Sequence, residues 1–340
     1  MSIRPKWRRR FLTGLGAAIV AALFFGLAEW WLFGSVDSRA TRPVYFTVYA
    51  GESTRLIADR LTQVHLLHSS LGFIWLAERR GWASRLRPGT YRLSPSESPG
   101  LILAQMVQGE TVDQISVPAG VRTSEVVLRL LADHIGTRKQ YQKLEQRPLP
   151  GMPTNPPHVR NALEGYLYPA TYSVLRGSNA GAAISLMWAT FQQKNRSLIK
   201  ELPKGWTLRR WVTLASIIQA EVRYPADDAK VAAVFLNRLR LGMPLQSDAT
   251  VYYALGSKAQ GALTERDLMV HSPYNTYQVR GLPPGPIDNP GPQALWAVLH
   301  PAHVGYLYFI TGPEGHAIFA TTYSEQLRHI ARLSRNTTGK

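Results

Sequence analysis

The sequence predicts an α+β protein in two folded parts of unequal size, preceded by one transmembrane helix. Three observations support this fold class. An apolar run opens the 340-residue chain, short β-branched and aromatic segments then alternate with helical patterns, and the most regular helical patterns lie in the second half. The composition, 45% hydrophobic and 18% charged, is typical of a folded protein rather than a disordered one.

The apolar run covers residues 11–33 and follows a basic flank, residues 1–10. As a helix it would span ~34 Å, enough to cross a hydrocarbon core of ~30 Å. The basic flank would stay in the cytoplasm, and Trp30 and Trp31 would lie at the outer interface. A cleaved signal peptide is the alternative, but the run is longer than usual and bulky residues occupy the expected cleavage site. We therefore expect a single-pass anchor with all later residues outside the cytoplasm.

Composition and charge exclude several classes of function. The chain has no cysteine, so disulfides, thiolate zinc sites and cysteine nucleophiles are excluded. The net charge is +17, but five of the charges lie in the basic flank and no dense basic run follows it, so we do not expect a nucleic-acid partner. His300 and His303 are separated by a proline that would break a shared helix. We predict no metal and no cofactor.

The first folded part is predicted at residues 44–112. Its elements are a strand at 44–48, a helix capped by Ser53 or Thr54, a helix near 70–80, a strand at 90–93, and a helix that begins after Ser98 and ends at Gly109. The segment 46–53, with Leu56-Ile57-Ala58 after it, resembles a LysM module, and this resemblance implies contact with N-acetylglucosamine polymers. A small α+β packing module is the alternative.

The second part is predicted at residues 113–335. In order along the chain we expect a strand near 114–117, a helix at 123–134, an irregular connection at 136–160, helices at 207–221 and 226–241, a short helix capped by Asp248, a Pro/Gly-rich loop at 281–292, a helix ending near His300, a hairpin of 306–310 with 317–321, and a helix from Ser324.

Glu221 is the first candidate for chemistry because it ends an apolar helix just before Tyr224-Pro225. A carboxyl group beside apolar side chains has a raised pKa and can stay protonated, as glycosidic cleavage requires of its acid. Position alone is weak evidence, since most helical glutamates are solvated or paired. The segments that follow, 242–253 and 272–277, combine amides, hydroxyls and aromatic rings, which together suit sugar binding.

Four motifs carry a resemblance that covers nearly the whole chain: Leu163–Pro169, Ala215–Glu221, Phe235–Leu239 and Tyr306–Phe309. They are similar to those of the MltG (YceG-like) endolytic peptidoglycan transglycosylases. The resemblance implies that Glu221 is the catalytic residue. Many members also have a glutamate where this chain has Gln219. That difference leaves the assigned acid in place but puts a helper carboxylate at this position in doubt.

The resemblance also implies the reaction and its setting. The enzyme would cleave the β-1,4 bond between N-acetylmuramic acid and N-acetylglucosamine in nascent peptidoglycan and leave 1,6-anhydro ends, which would limit strand length. It would work on the outer side of a bacterial inner membrane, beside penicillin-binding synthases. Two alternatives stay open. One is a hydrolytic muramidase that uses a second carboxylate such as Asp248, and the other is a catalytically idle glycan-binding scaffold.

Several polar and aromatic residues in or near these motifs are predicted to bind substrate. Glu164 fits equally well as a cleft residue or as one that holds a loop, and Asp248 also fits a helix cap. The predicted substrate-binding set is Glu164, Asn237, Gln246, Asp248, Tyr252, Tyr274 and Asn275.

Overall fold

The computed structural model describes residues 26, 27, 29–109, 111–154, 156–159, 161–256 and 261–338. The predicted basic flank and most of the predicted span at 11–33 lie outside these residues. Of the helices that are described, none has the length and apolar character needed to cross a membrane. The fold mixes helices with short sheets, which confirms the α+β class. The chain divides into two compact units between Asp113 and Gln114, called unit 1 and unit 2.

Unit 1 is built on an antiparallel pair of strands. β1 (Val44–Val48) pairs with β2 (Gly89–Leu93), so that Val44 lies opposite Leu93 and Val48 opposite Gly89. Between the strands the chain forms α1 (Thr54–Gln63) and α2 (Ser70–Arg79), and α3 (Pro99–Gln108) follows β2. These elements enclose their own hydrophobic core, which includes Phe46, Leu61, Phe73, Tyr91 and Leu103.

Local capping signals explain where these helices begin and end. The Ser53 hydroxyl accepts the backbone N–H of Leu56 at the start of α1. The Ser98 hydroxyl caps α3, and Pro99 occupies its first turn. Gly109 ends α3 in the left-handed conformation, with a φ of 76°. These sequence predictions are confirmed.

Unit 2 is mostly helical. Its strand pairs are β3 (Val112–Val117, which begins at the division between the units) with β4 (Ala170–Leu175), and the antiparallel hairpin of β5 (Tyr308–Thr311) and β6 (Ala317–Ala320). Its helices are α4 (Thr123–Ala132), α5 (Arg138–Gln146), α6 (Ala180–Lys194), α7 (Arg196–Lys200), α8 (Leu208–Glu221), α9 (Asp228–Arg240), α10 (Asp248–Leu255), α11 (Glu265–Leu268), α12 (Pro292–Leu299) and α13 (Tyr323–Thr338).

The core of unit 2 surrounds α8. The middle of this helix, Trp211–Ile218, is buried, and the helix packs against α12, α9 and α10. The indole N–H of Trp211 donates to the carbonyl of Leu295 at 2.8 Å, which ties the first half of α8 to α12. This buried middle segment fixes the position of the last residue of the helix, Glu221.

One prediction for unit 2 is wrong. Residues 136–160 were expected to be irregular because of their prolines, yet α5 lies within them. Thr137 and Gln140 form a reciprocal capping box at its start, and Tyr141 is buried beneath it. The capping bonds and the buried ring stabilise a helix that ends before the first proline.

Candidate active site

The carboxyl group of Glu221 lies where the chain leaves α8. Ile217 and Ile218 are fully buried in the turn before it, whereas Glu221 is partly exposed. The next residue, Val222, is extended, and a 3₁₀ turn begins at Pro225. The backbone therefore turns away and leaves the carboxyl group at the edge of the core rather than inside it.

Two donors from the next helical segment hold this carboxyl group. The Ser247 hydroxyl donates to Glu221 Oε1 at 2.5 Å, and the backbone N–H of Ala249 also bonds to the carboxylate. Ala249 lies in the first turn of α10, so the Glu221 carboxylate faces the N-terminus of a helix. Free N–H groups and the helix dipole favour negative charge at that end.

Opposing effects set the proton affinity of Glu221. Burial is the largest, and it raises the pKa of the Glu221 carboxyl above its ordinary value. The Ser247 hydrogen bond lowers the pKa, the negative charge of Asp248 raises it, and the Ala249 N–H lowers it. The net shift is upward, which favours a protonated acid that can donate. The same hydrogen bonds remain to stabilise the carboxylate after the proton has left.

The Ser247 hydroxyl is positioned by its backbone. Gln246 has a φ of 53°, a left-handed backbone conformation that residues other than glycine rarely adopt. Its backbone N–H donates to the Thr276 carbonyl at 3.1 Å. The N–H of Ser247 donates to the Thr276 hydroxyl at 3.0 Å. The side chains of 245–248 alternate between buried and exposed, so Ser247 points inward while Gln246 and Asp248 point to solvent. The turn thus brings two exposed polar residues beside the acid.

A buried arginine stabilises this turn. Arg238 on α9 is 8% exposed, and its guanidinium donates to the carbonyls of Leu307 at 2.6 Å and Leu245 at 2.8 Å. It also donates to Gln246 Oε1 at 3.3 Å and lies over the Tyr308 ring. One planar group therefore links α9, the segment before α10 and the β5 strand.

Asp248 is the second carboxylate near Glu221. The Tyr277 hydroxyl donates to Asp248 Oδ1 at 2.5 Å. Burial raises the pKa of the Tyr277 phenol, and the Asp248 hydrogen bond raises it further. The cap predicted for Asp248 is displaced by one residue, because Ser247 occupies the N-cap position and Asp248 is the first residue of α10.

The other predicted site residues lie in contacts that do not include Glu221. The Asn237 amide donates to the carbonyls of Val304 and Tyr306, both at 2.9 Å. Asn275 is fully buried, and its amide donates to two carbonyls at 2.8 and 2.9 Å. Their amide donors are thus engaged by the fold, and substrate binding by these two residues stays a prediction.

The two predicted tyrosines also stay predictions. The Tyr252 hydroxyl donates to the Gly261 carbonyl at 3.0 Å. Tyr274 is 6% exposed, and its ring lies 4.8 Å from that of Tyr253. Tyr253 and Tyr274 also line a cavity of about 280 Å³ together with His158 and Ser272.

Glu164 belongs to a separate buried group. Its Oε1 accepts the N–H of Thr123 at 2.8 Å, and its Oε2 accepts the Tyr253 hydroxyl at 3.3 Å. Burial raises the pKa of Glu164 to about 7. Burial and the charge of Glu164 raise the pKa of Asp288 as well. Glu164 therefore links the start of α4 to α10, and substrate binding by Glu164 stays a prediction.

The predicted site set lacks Ser247, Arg238 and Tyr277, although Tyr277 was considered as a ring that could stack on sugar. Ser247 precedes the short helix whose predicted cap was Asp248, and no local pattern pointed to its contact with Glu221. Arg238 and Tyr277 stand in segments already singled out, but nothing in their spacing shows which groups they contact. Among the described residues, no cluster of three or more histidine and acidic side chains could hold a metal ion.

Comparison with known proteins gives a consistent result. The profile of the YceG-like family matches residues 46–332. A Bacillus subtilis (strain 168) protein named endolytic murein transglycosylase is 32% identical over 307 residues, which are 85% of this chain and 84% of that protein. A Streptococcus pneumoniae (strain R6) protein of the same name is 28% identical over 328 residues, and the match covers 87% of this chain but 59% of that longer relative.

A solved structure extends the comparison to three dimensions. The crystal structure of a yceG-like protein from Listeria monocytogenes matches with a TM-score of 0.59 and 31% sequence identity. The match covers 84% of this chain and 99% of that one. The family profile spans most of the chain, and both the Bacillus subtilis protein and the Listeria monocytogenes structure are more than 30% identical to it in sequence. The chain therefore belongs to the YceG-like family.

Proposed function

We propose that this protein is an endolytic murein transglycosylase in which Glu221 is both the acid and the base. The observation that carries the proposal is the setting of Glu221: one carboxyl group with a raised pKa, held by Ser247 and by the N-terminus of α10. The names of the relatives agree with this reaction. The lyase activity and its peptidoglycan substrate therefore rest on family membership, and the role of Glu221 rests on geometry.

A single carboxyl group suffices for this chemistry. The Glu221 acid gives its proton to the oxygen that joins N-acetylmuramic acid to N-acetylglucosamine, and the bond from this oxygen to the muramic C1 breaks. The Glu221 carboxylate then removes the proton of the muramic C6 hydroxyl, and the C6 oxygen bonds to C1 to close a 1,6-anhydro ring. The acid is regenerated and no water is consumed. Ser247 and Ala249 stabilise the carboxylate between the two steps.

The position of Asp248 argues against hydrolysis. A muramidase canonically needs a second working carboxylate. Asp248 is the carboxylate whose charge acts on Glu221, and it accepts the Tyr277 hydroxyl. With its oxygen engaged by a phenol, Asp248 is better suited to hold Tyr277 and to contact a sugar hydroxyl than to activate water.

The proposal extends to how the enzyme meets its substrate. Gln246 and Asp248 are exposed beside Glu221 and are the strongest candidates for sugar contacts. The segment 44–112 would act as a LysM-like module that contacts glycan, and Tyr49 on it is 63% exposed. The apolar run at 11–33 would anchor the protein in the inner membrane with residues 113–335 outside the cytoplasm. Penicillin-binding synthases that supply new strands are the proposed partners.

Digestion of purified sacculi tests the proposal. The full chain in detergent is compared with Glu221→Gln and with Glu265→Gln, which replaces an exposed carboxylate on α11 as a matched control. Mass spectrometry then identifies the new chain ends. We expect 1,6-anhydro ends from the parent and the control, and about 100-fold fewer or none from Glu221→Gln.

The other outcomes are equally informative. Reducing ends that depend on Asp248 would identify a muramidase. If neither the parent nor the control cleaves glycan, the scaffold alternative replaces this proposal.

A further inference from the structure

Unit 1 carries exposed apolar side chains that lie outside its buried hydrophobic core. Leu71 and Trp75 on α2 are 68% and 46% exposed, and Trp30 and Trp31 at the start of the unit are 58% and 49% exposed. Leu32, Phe33, Leu71, Ile74 and Trp75 line a groove of about 570 Å³, and Gly72 and the carboxylate Glu78 complete its lining. The five apolar side chains of this lining, Leu32, Phe33, Leu71, Ile74 and Trp75, are called the apolar face below. Exposed surfaces of this kind usually mark a site of interaction with a protein or a membrane.

The apolar face is firmly attached to the end of the predicted membrane span. Leu32 lies directly against α2, because a Cβ atom on Gly72 would come within 2.2 Å of the Leu32 carbonyl oxygen. The Phe33 ring lies 5.4 Å from the Trp75 ring, and the Trp30 ring lies 5.1 Å from that of His68. The His68 ring bonds to the Ser35 carbonyl at 3.1 Å. The last turn of the apolar run and α2 therefore form one continuous surface.

This attachment indicates what covers the apolar face. Two of its residues, Leu32 and Phe33, are themselves the last residues of the run predicted to cross the bilayer. Tryptophan and arginine favour the boundary between hydrocarbon and headgroups, with the ring in the apolar layer and the guanidinium in the polar one. Here the Arg79 guanidinium lies 4.9 Å from the Trp75 ring centre, and the exposed Arg80 follows it. The Arg79 charge beside the Trp75 ring would suit anionic phosphates at the membrane surface.

We propose that the apolar face lies in the outer interface of the lipid bilayer, so that α2 forms a second membrane contact beside the anchor. This inference rests on the proposed anchor at residues 11–33. Two contacts would fix how unit 1 is oriented on the membrane, whereas a single helix followed by a free connector would let it rotate. The occupant of the groove is then lipid acyl chain rather than a second protein.

Fluorescent labelling of the full chain tests this inference directly. Because the chain has no cysteine, each introduced cysteine carries a single environment-sensitive label. Leu71→Cys and Trp75→Cys report on the apolar face. Leu56→Cys is the matched control, since Leu56 is 51% exposed on α1. Leu56 is not among the residues that line the groove, and Thr54, two residues before it, donates its hydroxyl to the Ala83 carbonyl beyond the C-terminal end of α2.

The labelled chains are reconstituted into vesicles of phosphatidylethanolamine and phosphatidylglycerol. We expect a blue-shifted emission at positions 71 and 75 that is quenched by spin-labelled lipid, with neither effect at position 56. Blue-shifted emission without lipid quenching would show that a second protein copy covers the face and would overturn the inference. Labels at 71 and 75 that behave like the control would overturn it as well.

Flotation with the vesicles separates this inference from the proposal on which it rests. A chain that floats while its labels stay unquenched keeps its anchor but does not lay α2 on the membrane. A chain that fails to float overturns the anchor and this inference together. Neither result bears on glycan cleavage by Glu221, which the sacculus digestion measures.

Discussion

Removing the Ser247 hydroxyl should change how the activity depends on pH. The hydroxyl donates to Glu221 Oε1 and stabilises the carboxylate over the acid. A hydrogen bond to a charged group contributes about 1.5–3 kcal/mol, and one pH unit corresponds to about 1.4 kcal/mol. Because the proposed reaction begins with protonated Glu221, activity should be lost at the pH where Glu221 ionises. In Ser247→Ala this basic limb should therefore move up by about one to two pH units.

The structure also indicates that Ser247→Ala will fold. The N–H of Ser247, which bonds to the Thr276 hydroxyl, stays in place, and the Ser247 hydroxyl makes no capping bond to α10. The assay is the initial rate of release of anhydro ends from isolated glycan strands, measured as kcat/KM over a range of pH. Ser272→Ala is the matched control, since that hydroxyl accepts the N–H of Tyr274 instead. An unmoved limb, or one that moves to lower pH, would refute this account of Glu221.

Asp248→Asn should shift the same limb in the opposite direction. The charge of Asp248 raises the pKa of Glu221, so removing the charge makes Glu221 a stronger acid. The side-chain oxygen that accepts the Tyr277 hydroxyl is retained in the amide. If Asp248 instead activated water, the variant would lose activity at every pH rather than at the basic end alone.

Two further predictions concern stability. The folded pKa of Glu164 is about 7 against an ordinary value of 4.5, so the folded state holds the proton more tightly and unfolding becomes easier as pH rises between these values. This loss of folding stability, on the order of 3 kcal/mol, should be smaller in Glu164→Gln. Urea unfolding at about pH 5 and about pH 8 measures the loss. A loss in the variant equal to that in the parent would contradict the reasoning. Asn289 is fully buried. Its side-chain oxygen accepts two backbone N–H groups and its side-chain NH2 donates to one carbonyl, at 2.9 to 3.1 Å. Asn289→Ala should cost about 3 kcal/mol or more, against about 1 kcal/mol for the cap variant Asn179→Ala, and equal unfolding midpoints would contradict this.

Local signals explain which elements the sequence could predict. α3 was predicted from Ser98, Pro99 and Gly109, and each acts within four residues of its position. α5 was missed because the proline density after it suggested a loop, although Thr137 and Gln140 formed a capping box in plain sequence. Proline density, a property of composition, wrongly predicted a loop here. The capping box, a specific pair of side-chain hydrogen bonds, would have predicted the helix.

The candidate site could be predicted only in part, for a related reason. Glu221 was singled out as a candidate from its own segment, because the apolar turns of α8 precede it directly, and the family resemblance then implied its catalytic role. The group that holds it, Ser247, stands 26 residues further along the chain. Their contact depends on how α8 and α10 pack and on the left-handed backbone at Gln246. No periodicity in either segment encodes that packing, so the partner of Glu221 becomes visible only in the folded protein.

Gln219 shows why a single acid is compatible with this fold. Its Oε1 accepts the N–H of Gly291, the cap residue of α12, at 2.8 Å. The approach is close, because a Cβ atom on Gly291 would lie 2.9 Å from that same oxygen. A carboxylate could accept this bond equally well, so the glutamate that the family resemblance implies at this position in many members can serve the same structural purpose. A glutamate would also place a second negative charge two residues from Glu221 and raise the pKa of Glu221 further. Glutamine keeps the hydrogen bond to Gly291 and leaves Asp248 as the charge that acts on Glu221.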